Sequence, residues 1–290
     1  MKNNATCWIW LIAAALVAFQ QCQAETEHHL DSIFLPSGSS SSYCDLDCPG
    51  AQQHTLCEQP EEWQQSPEHC RNFQQLLGSA QLWMNILDAH NGVRNRFAMR
   101  YRVSNMRKLV WDDELARMAR LHLASCERYN PDPCTVFPDS LSTRNHRNVR
   151  QSKAFVIERY LPKYYAMDVL RGWYLQKDET PLPSVREAHL LYQPVLNNFT
   201  LLTWAGLERV GCAAAKYRDG FQLVCNYFPF YSLSQPSAEL GLPAVHCPRT
   251  FPLRSRIFSG LCTFEMDQGV CLKPPQVLLL LLIAWCTLHG

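Results

Sequence analysis

Residues 210–227 read VGCAAAKYRDGFQLVCNY and contain the clearest strand signal in the chain. Two segments rich in apolar residues flank Asp219-Gly220, and an Asp-Gly pair between such segments is a strong signal for a β-hairpin. In that hairpin Cys212 and Cys225 lie close to opposite positions, near enough for a disulfide if the register permits. The stretch therefore predicts an antiparallel hairpin.

A helix is predicted after residues 109–112, which read LVWD. Asp112 can accept hydrogen bonds from the first backbone amides of a helix, and the charges of Asp113 and Glu114 favour the positive end of its dipole. A set of residues then shares one helical face, which predicts that this face packs inward. Its members are Leu115, Met118, Ala119, His122 and Cys126.

Two further segments have features of helices. The first starts near Asn72, with a break at Gly78, and the second covers residues 155–173 and is interrupted by Pro162. Residues 130–153 between them have polar and basic loop character. The apolar residues of the first segment recur at intervals that fit one helix or two; they are Leu76, Leu82, Ile86, Val93 and Phe97.

The chain begins with a segment typical of a secretory signal peptide, residues 1–24. Lys2 supplies the positive charge, residues 9–19 form an apolar core, and residues 22–24 offer small side chains at the cleavage position. The apolar run is shorter than the roughly 20 residues that a membrane-spanning helix needs. We expect cleavage after Ala24 and entry into an oxidising compartment, where the cysteines pair.

The C-terminal residues 268–290 are also apolar, and no Lys or Arg follows the run at 277–285. An apolar tail of about 10–20 residues after a polar spacer is typical of a signal for a glycosylphosphatidylinositol (GPI) anchor. Asp267 and Gly269 are the expected attachment residues. The alternatives are a buried terminal helix and a tail that inserts into the membrane without cleavage. Removal of the tail before Cys271 and retention of the tail both leave an even number of cysteines, but removal avoids placing Cys286, without an easy partner, in lipid.

The rest of the chain divides into a Ser-rich lead-in with a cysteine collar (25–71), a main domain (72–231) and a Cys- and Pro-rich extension (232–267). The formal net charge is +1 and the chain has no long basic block. A nucleic-acid partner needs a concentrated positive face, so we do not expect one. The chain also has no G-x-S-x-G elbow, H-E-x-x-H helix or phosphate loop.

Several motifs, in the correct order, resemble those of the CAP superfamily, the cysteine-rich secretory, antigen 5 and pathogenesis-related proteins. They are YCx3Cx8C at 43–57, HNGVR at 90–94, LVWDDELA at 109–116, VGCA at 210–213 and LVCNY at 223–227. The first of them, the collar, is typical of the insect antigen 5 branch. The resemblance covers about residues 43–230, so the main domain is interpreted as CAP-like.

The resemblance implies an α+β fold, a three-layer α/β/α sandwich whose helices flank an antiparallel sheet. It also implies disulfide pairs, which spacing alone does not fix. These pairs are Cys44–Cys57, Cys48–Cys134, Cys70–Cys126 and Cys212–Cys225. By elimination, the remaining Cys247 and Cys262 would pair with each other, which goes beyond the family frame.

The chain departs from the family at its cavity, which the resemblance describes as two His and two acidic residues able to hold a divalent cation. Pro131 and Asn198 stand at the His positions, and Arg147 and Gln176 stand at the acidic positions. Pro offers no donor atom, Arg repels a cation, and neutral amides are weaker ligands than imidazole or carboxylate. We therefore expect no metal and no cofactor in this cavity.

Two alternatives concern the same positions. A shifted alignment would bring Glu179 or His146 to the cavity, although it would not restore both histidines. Asn198-Phe199-Thr200 is an N-glycosylation sequon, and a glycan on Asn198 would stand over or fill the mouth of the cavity. The alternative to glycosylation is an unmodified Asn198 whose side chain is buried in a strand.

Other residues of catalytic type have structural explanations. His122 lies on an apolar helix face, where a histidine is most often a core residue with a satisfied ring nitrogen. Glu187 and His189 lie in a loop-like region and are interpreted as surface residues. The cysteines of the domain have implied partners, so a nucleophilic cysteine is not expected.

These observations favour a secreted, extracellular binding protein that is not an enzyme, tethered to the cell surface if the tail is exchanged for a GPI anchor. Relatives in the family bind lipids and block channels, so the resemblance implies an extracellular protein, a lipid or a sterol as the partner. The alternative function is an extracellular hydrolase, or a lipid or sterol carrier, that uses a rebuilt cavity.

Overall fold

The computed structural model describes a set of ranges: 43–46, 48, 54–57, 70, 72–76, 79–136, 148–157, 165–181, 183–186, 189–230 and 232–265. The predictions for the signal peptide, for Arg147 and for the attachment residues Asp267 and Gly269 lie outside these residues. So do His146 and Glu187.

The predicted hairpin is confirmed and consists of β6 (Arg209–Tyr217) and β7 (Gly220–Phe228). Cys212 and Cys225 lie directly opposite each other in the antiparallel register. Gly220 is the first residue of β7 rather than part of the connecting loop. A Cβ atom at Gly220 would lie 2.2 Å from a carbonyl oxygen of the neighbouring strand, so this position needs glycine because of close packing.

The hairpin is the centre of a five-stranded sheet in which β1 (Gln74–Leu76) pairs with β6 and β3 (Arg150–Ile157) pairs with β7. Both of these pairings are antiparallel, whereas β2 (Val110–Trp111) pairs with β6 in parallel. The prediction of helix around Leu76 and at the start of 155–173 is therefore wrong, because these residues lie in β1 and β3. Short apolar runs do not distinguish a strand from a helix, and pairing with β6 and β7 decided the outcome.

The helix predicted after residues 109–112 is confirmed as α2 (Asp113–Ala124). The Asp112 carboxylate accepts hydrogen bonds from the backbone amides of Glu114 and Leu115 at 3.0 and 2.9 Å. The helix lies close to β6, because a Cβ atom at Gly211 would come within 2.1 Å of the backbone nitrogen of Ala116. Close contact between helix and sheet thus depends on a glycine at this position.

The long helix α1 (Ala80–Tyr101) packs on the opposite face of the sheet. Asn226 donates to the Leu115 carbonyl of α2, whereas the adjacent Tyr227 hydroxyl bonds to His90 of α1 at 2.9 Å. Successive residues of a strand point to opposite faces, so α1 and α2 flank the sheet. The structure is therefore a three-layer α/β/α sandwich, as the resemblance implied.

Two shorter helices, α3 (Tyr165–Leu175) and α4 (Asn198–Leu202), lie on the α1 side. The Phe199 ring lies 5.9 Å from Phe97 of α1 and 6.0 Å from Tyr174 of α3, measured between ring centroids. These aromatic contacts belong to a buried apolar cluster that fixes α4 against α1 and α3. Within the described residues, no helix is long and apolar enough to cross a bilayer.

Two small sheets complete the described part of the chain. One contains β4 (Ser184–Arg186), β5 (Leu190–Tyr192) and β8 (Ala238–Glu239), and the other contains β9 (Leu253–Arg254) and β10 (Cys262–Thr263). The second sheet belongs to the extension, which follows the hairpin and packs beside the C-terminal end of α1.

The described residues form five disulfides, and the pairs are those expected from the resemblance and, for the last, by elimination: Cys44–Cys57, Cys48–Cys134, Cys70–Cys126, Cys212–Cys225 and Cys247–Cys262. No described cysteine is unpaired. Each bridge restricts the unfolded chain, and such a restriction contributes about 2–4 kcal/mol to stability.

Candidate functional site

A cavity of about 240 Å³ opens between the start of β3, the N-terminal end of α4 and the loop that precedes Cys134. Pro131 and Asn198, the two residues at the family's His positions, are both in its wall. The complete lining is Pro131, Asp132, Thr135, Val149, Arg150, Gln151, Leu196, Asn197, Asn198 and Leu201.

Gln176 adjoins the same wall, because its side-chain oxygen accepts a hydrogen bond from the backbone amide of Asn198 at 3.1 Å. Three of the four positions named from the sequence are thus brought together. The fourth, Arg147, lies outside the described residues. Glu179, the residue that a shifted alignment would offer, follows the short 3₁₀ turn Gln176–Asp178 and is not in the cavity lining.

Asn198 is the first residue of a helix, so its interpretation as a strand residue was wrong. The reason is a capping box: the Asn197 side chain accepts from the Thr200 amide, and the Thr200 hydroxyl accepts from the Asn197 amide, both at 2.9 Å. Reciprocal bonds of this kind satisfy the first amides of a helix and favour its start. The Asn198 side chain is partly exposed rather than buried.

Asp132 is the acidic residue in the cavity wall, and its carboxylate already has protein partners. One oxygen accepts from the Thr55 hydroxyl at 2.8 Å, and the other accepts from the Cys134 amide at 2.9 Å. The residue is almost completely buried. Because both oxygens are used by the collar and the loop, Asp132 stabilises the local fold and has reduced capacity for a ligand.

Gln151 connects the cavity to the core of the sandwich. Its side-chain oxygen accepts from the Asp132 amide at 3.2 Å, and its side-chain nitrogen donates to Asn226 at 3.1 Å. Asn226 in turn donates to the Leu115 carbonyl of α2 at 3.0 Å. Asp132 and Gln151 were not among the site residues predicted from the sequence, although Asp132 directly follows Pro131.

The His, Cys, Asp and Glu side chains offer little to a metal ion. Among the described residues, only His90, Cys212 and Cys225 approach one another closely enough to share an ion. The two cysteines form a disulfide, and both His90 nitrogens are hydrogen-bonded, to the Ile86 carbonyl and the Tyr227 hydroxyl. This cluster is a structural part of the core, and it does not fit a bound cation.

His122 is buried on the inner face of α2, as predicted, but its ring is not fully satisfied. Its Nε2 atom has no hydrogen-bond partner among the described residues, so that part of the prediction was wrong. Burial, with a smaller contribution from the charge of Lys153, lowers the pKa of His122 to about 4. The ring is therefore neutral at pH 7, and no hydroxyl or thiol in the described part of the chain bonds to Nε2 as an activated nucleophile would.

His189, the other histidine considered as a catalytic group, is exposed at the turn before β5. It lies in the left-handed backbone region, with φ of 95°. It is not part of the cavity lining, which is consistent with its interpretation as a surface residue.

A disulfide-rich α/β/α sandwich, with a small cavity of mixed polar and apolar lining beside its sheet, defines the class of this protein. Residues 87–227 match the model of the CAP family, described as the cysteine-rich secretory protein family. This stretch is therefore a CAP domain, of a family of the extracellular type, and it includes most of α1 and nearly all of the central hairpin.

The similar curated proteins include Venom allergen 5 of Vespula maculifrons, 26% identical over 214 residues, which cover 68% of this chain and 88% of the relative. Peptidase inhibitor 15 of Homo sapiens is 24% identical, with 61% of this chain and 67% of the relative covered. A CRISP/Allergen/PR-1 protein of Trittame loki is 27% identical, and the match spans 66% of this chain and half of that relative, 50%.

The similar solved structures include that of NaASP2 with Zn2+, with a TM-score of 0.49 and 15% identity; the match covers 69% of this chain and 100% of NaASP2. The structure of BmVAL-1 also gives a TM-score of 0.49, at 18% identity, with 76% of this chain and 100% of BmVAL-1 covered.

Proposed function

We propose that this CAP protein acts outside the cell as a non-catalytic binding protein, and that its cavity does not hold the divalent cation of the family. Its partner is an extracellular protein, a lipid or a sterol. Two features support the proposal: the replaced positions in the cavity wall, and the absence of an activated nucleophile at the histidines considered above.

The single observation that carries the proposal is the composition of the cavity wall. Pro131 and Asn198 supply no imidazole there, and the nearby carboxylate of Asp132 is engaged by Thr55 and Cys134. A cation would have to compete with those hydrogen bonds for the Asp132 carboxylate, and Pro131 and Asn198 would offer it only neutral oxygens. Such a site is weak in comparison with one built from histidine and free carboxylate ligands.

Titration calorimetry with zinc on the purified, full-length protein tests this proposal. We expect no uptake by the wild type. The variant Pro131→His/Gln176→Glu/Asn198→His restores two imidazoles and a carboxylate, and it should gain zinc affinity. Asn198→Gln is the matched control for loss of the sequon alone. Zinc uptake by the wild type that disappears in Asp132→Asn would contradict the proposal.

We also propose that Asn198 carries an N-linked glycan that covers the cavity mouth. Its partly exposed side chain at the cavity wall supports this. The Thr200 hydroxyl has two roles, because the sequon requires it and the capping box uses it. Endoglycosidase treatment should increase the mobility of the wild type and of Thr200→Ser, but not of Asn198→Gln. An unchanged wild-type mobility would exclude the glycan.

Surface tethering through Asp267 or Gly269 is a further part of the proposal, supported by the apolar sequence that follows them. Phosphatidylinositol-specific phospholipase C should release the protein from the surface of expressing cells. Protein that is found only in the medium, or that stays on the cells after treatment, would contradict a GPI anchor.

A further inference from the structure

Two stretches of the chain, residues 89–111 and 240–264, contain no Asp or Glu. Together they hold nine of the 27 Lys and Arg residues, although the whole chain has a formal net charge of only +1. The positive charge is therefore concentrated in two segments that are far apart in sequence, while the remaining chain is net acidic.

The fold brings these two stretches together at the C-terminal end of α1. The Gly260 amide donates to the Asn95 side-chain oxygen at 2.7 Å, and the Gly241 amide donates to the Arg102 carbonyl at 2.7 Å. The Cys262 amide donates to the Met106 carbonyl, also at 2.7 Å. The extension is thus held along the end of α1 and the segment after it.

The result is a surface that we name the arginine face, defined by the exposed side chains of Arg96, Arg100, Arg102, Arg249 and Arg254. None of these five guanidiniums forms an ion pair with a carboxylate in the described part of the chain. By contrast, Arg107 in the same stretch pairs with Glu208.

Exposed apolar side chains accompany the arginines. Met99 is 49% exposed, Leu242 60% and Ile257 54%. Met99 follows Arg96 by three positions on α1, so the two share one side of the helix. Met99 also lies against the extension, because a Cβ atom on Gly260 would come within 3.2 Å of its sulfur. Leu242 directly follows Gly241, which is bonded to Arg102.

We propose that the arginine face docks on a membrane surface rich in anionic phospholipids. A guanidinium matches the geometry of a phosphate group and can donate two parallel hydrogen bonds to it. Basic residues near an anionic bilayer add to the attraction, and apolar side chains among them gain by entering the interfacial layer. The inference deepens the proposed binding function by naming a partner class, and it does not involve the cavity.

The exposed apolar residues are the reason to choose a membrane over a sulfated glycan. A sulfated glycan offers negative charges but no apolar layer that could remove Met99, Leu242 and Ile257 from water. A bilayer offers both, since its phosphates lie directly above its hydrocarbon region. The charge and the apolar side chains of this surface therefore fit a membrane together.

Sedimentation with lipid vesicles tests the inference on full-length protein purified from secreting cells. We expect binding to phosphatidylcholine vesicles that contain about one quarter phosphatidylserine, and much weaker binding to phosphatidylcholine alone. Because the attraction is electrostatic, binding should fall as salt is added. The difference between the two vesicles isolates the arginine face from any affinity of the apolar tail for lipid.

Matched variants locate the binding surface. Arg96→Gln/Arg100→Gln should weaken binding to the anionic vesicles by about 25-fold, since each arginine contributes about fivefold. The control Arg117→Gln/Arg218→Gln removes the same charge from α2 and from the hairpin loop, and it should bind as the wild type does. Met99→Ser/Ile257→Ser should also weaken binding. Thermal unfolding of each variant verifies that the fold is retained.

Three results would overturn the inference: equal binding to neutral and anionic vesicles, equal loss in the two arginine variants, or binding to heparin without binding to anionic vesicles. The last result would assign the same surface to a sulfated glycan. None of these outcomes affects zinc titration, so the failure of this inference and that of the proposed cavity can be told apart.

Discussion

The two sides of helix α1 place arginine side chains in opposite environments, one buried and one exposed to solvent. Arg94, on the inner side, is completely buried, and its guanidinium donates to the backbone carbonyls of Arg107, Leu202 and Trp204, at 2.7–3.1 Å. Arg96, two residues later, is exposed and has no carboxylate partner in the described part of the chain. Arg94 therefore stabilises the fold, whereas Arg96 is available to a binding partner.

The inner side also explains the residues HNGVR, which carry part of the family resemblance. The Asn91 side chain donates to the Leu109 carbonyl at 3.0 Å and accepts from the Leu109 amide at 2.8 Å. His90 bonds to Ile86 and Tyr227. These polar groups use their bonding capacity within the protein, so the motif supports the fold rather than a site.

The largest effect that the comparison predicts is the difference between Arg94→Met and Arg96→Met. Arg94→Met should lower the free energy of unfolding by about 3–5 kcal/mol, because it leaves several buried carbonyls without a donor. Arg96→Met should change it by less than about 0.5 kcal/mol, as is usual for an exposed residue. Urea unfolding of both variants measures the difference, and similar losses would show that α1 has no such division.

The next largest effect concerns the extension that packs against α1. Its Cys247–Cys262 disulfide closes a loop with a sequence separation of 15 residues. The double variant Cys247→Ala/Cys262→Ala should lose about 3 kcal/mol of stability in the extension. Hydrogen exchange should rise in residues 240–264 and stay low in the central hairpin. A uniform rise across both segments would mean that the extension is not a separate unit of stability.

Local interactions made the start of α2 and the central hairpin predictable from the sequence. The Asp112 cap and the paired Cys212 and Cys225 depend on neighbours that are near in sequence or on one hairpin. The cavity positions came from the resemblance instead; Pro131 and Asn198 lie in the cavity wall, and Gln176 accepts a hydrogen bond from Asn198. The helix at Asn198 was missed because the capping box at Asn197 was not recognised.

The arginine face could not be predicted, because it depends on contact between segments that are far apart in the chain. No single stretch of the sequence is a long basic block. The positive surface appears only when the extension packs against α1, through bonds such as Gly260 to Asn95. The distribution of charge along the sequence therefore does not reveal a positive surface that forms when distant segments pack together.

A third prediction uses pH to test the inner side. Burial lowers the pKa of His90 to about 4, whereas an imidazole in the unfolded chain has a pKa of about 6.5. The unfolded chain therefore takes up the proton first as the pH falls. The contribution of His90 to stability is complete above about pH 6.5 and is lost progressively toward pH 4, with about 2 kcal/mol lost between pH 7 and pH 5.

His90→Gln separates this contribution from those of two other buried imidazoles: His122, whose pKa is also lowered to about 4, and His54, whose pKa burial also lowers. The variant should be less stable than the wild type at pH 7, and its stability should fall less steeply between pH 7 and pH 5. Chemical unfolding at a series of pH values provides the measurement. An unchanged slope would mean that His90 is protonated without resistance in the folded protein.

The smallest predicted effect lies where the outer side of α1 meets the extension. Asn95→Ala removes the acceptor of the Gly260 amide, a hydrogen bond of 2.7 Å, and should cost about 1 kcal/mol. Exchange of the Gly260 amide should accelerate, while the amides of the central hairpin remain protected. Because the bond aligns the extension with Arg96 and Met99, binding to anionic vesicles should weaken although no charge is lost. Weakened stability with unchanged vesicle binding would show that the arginine face acts without this alignment.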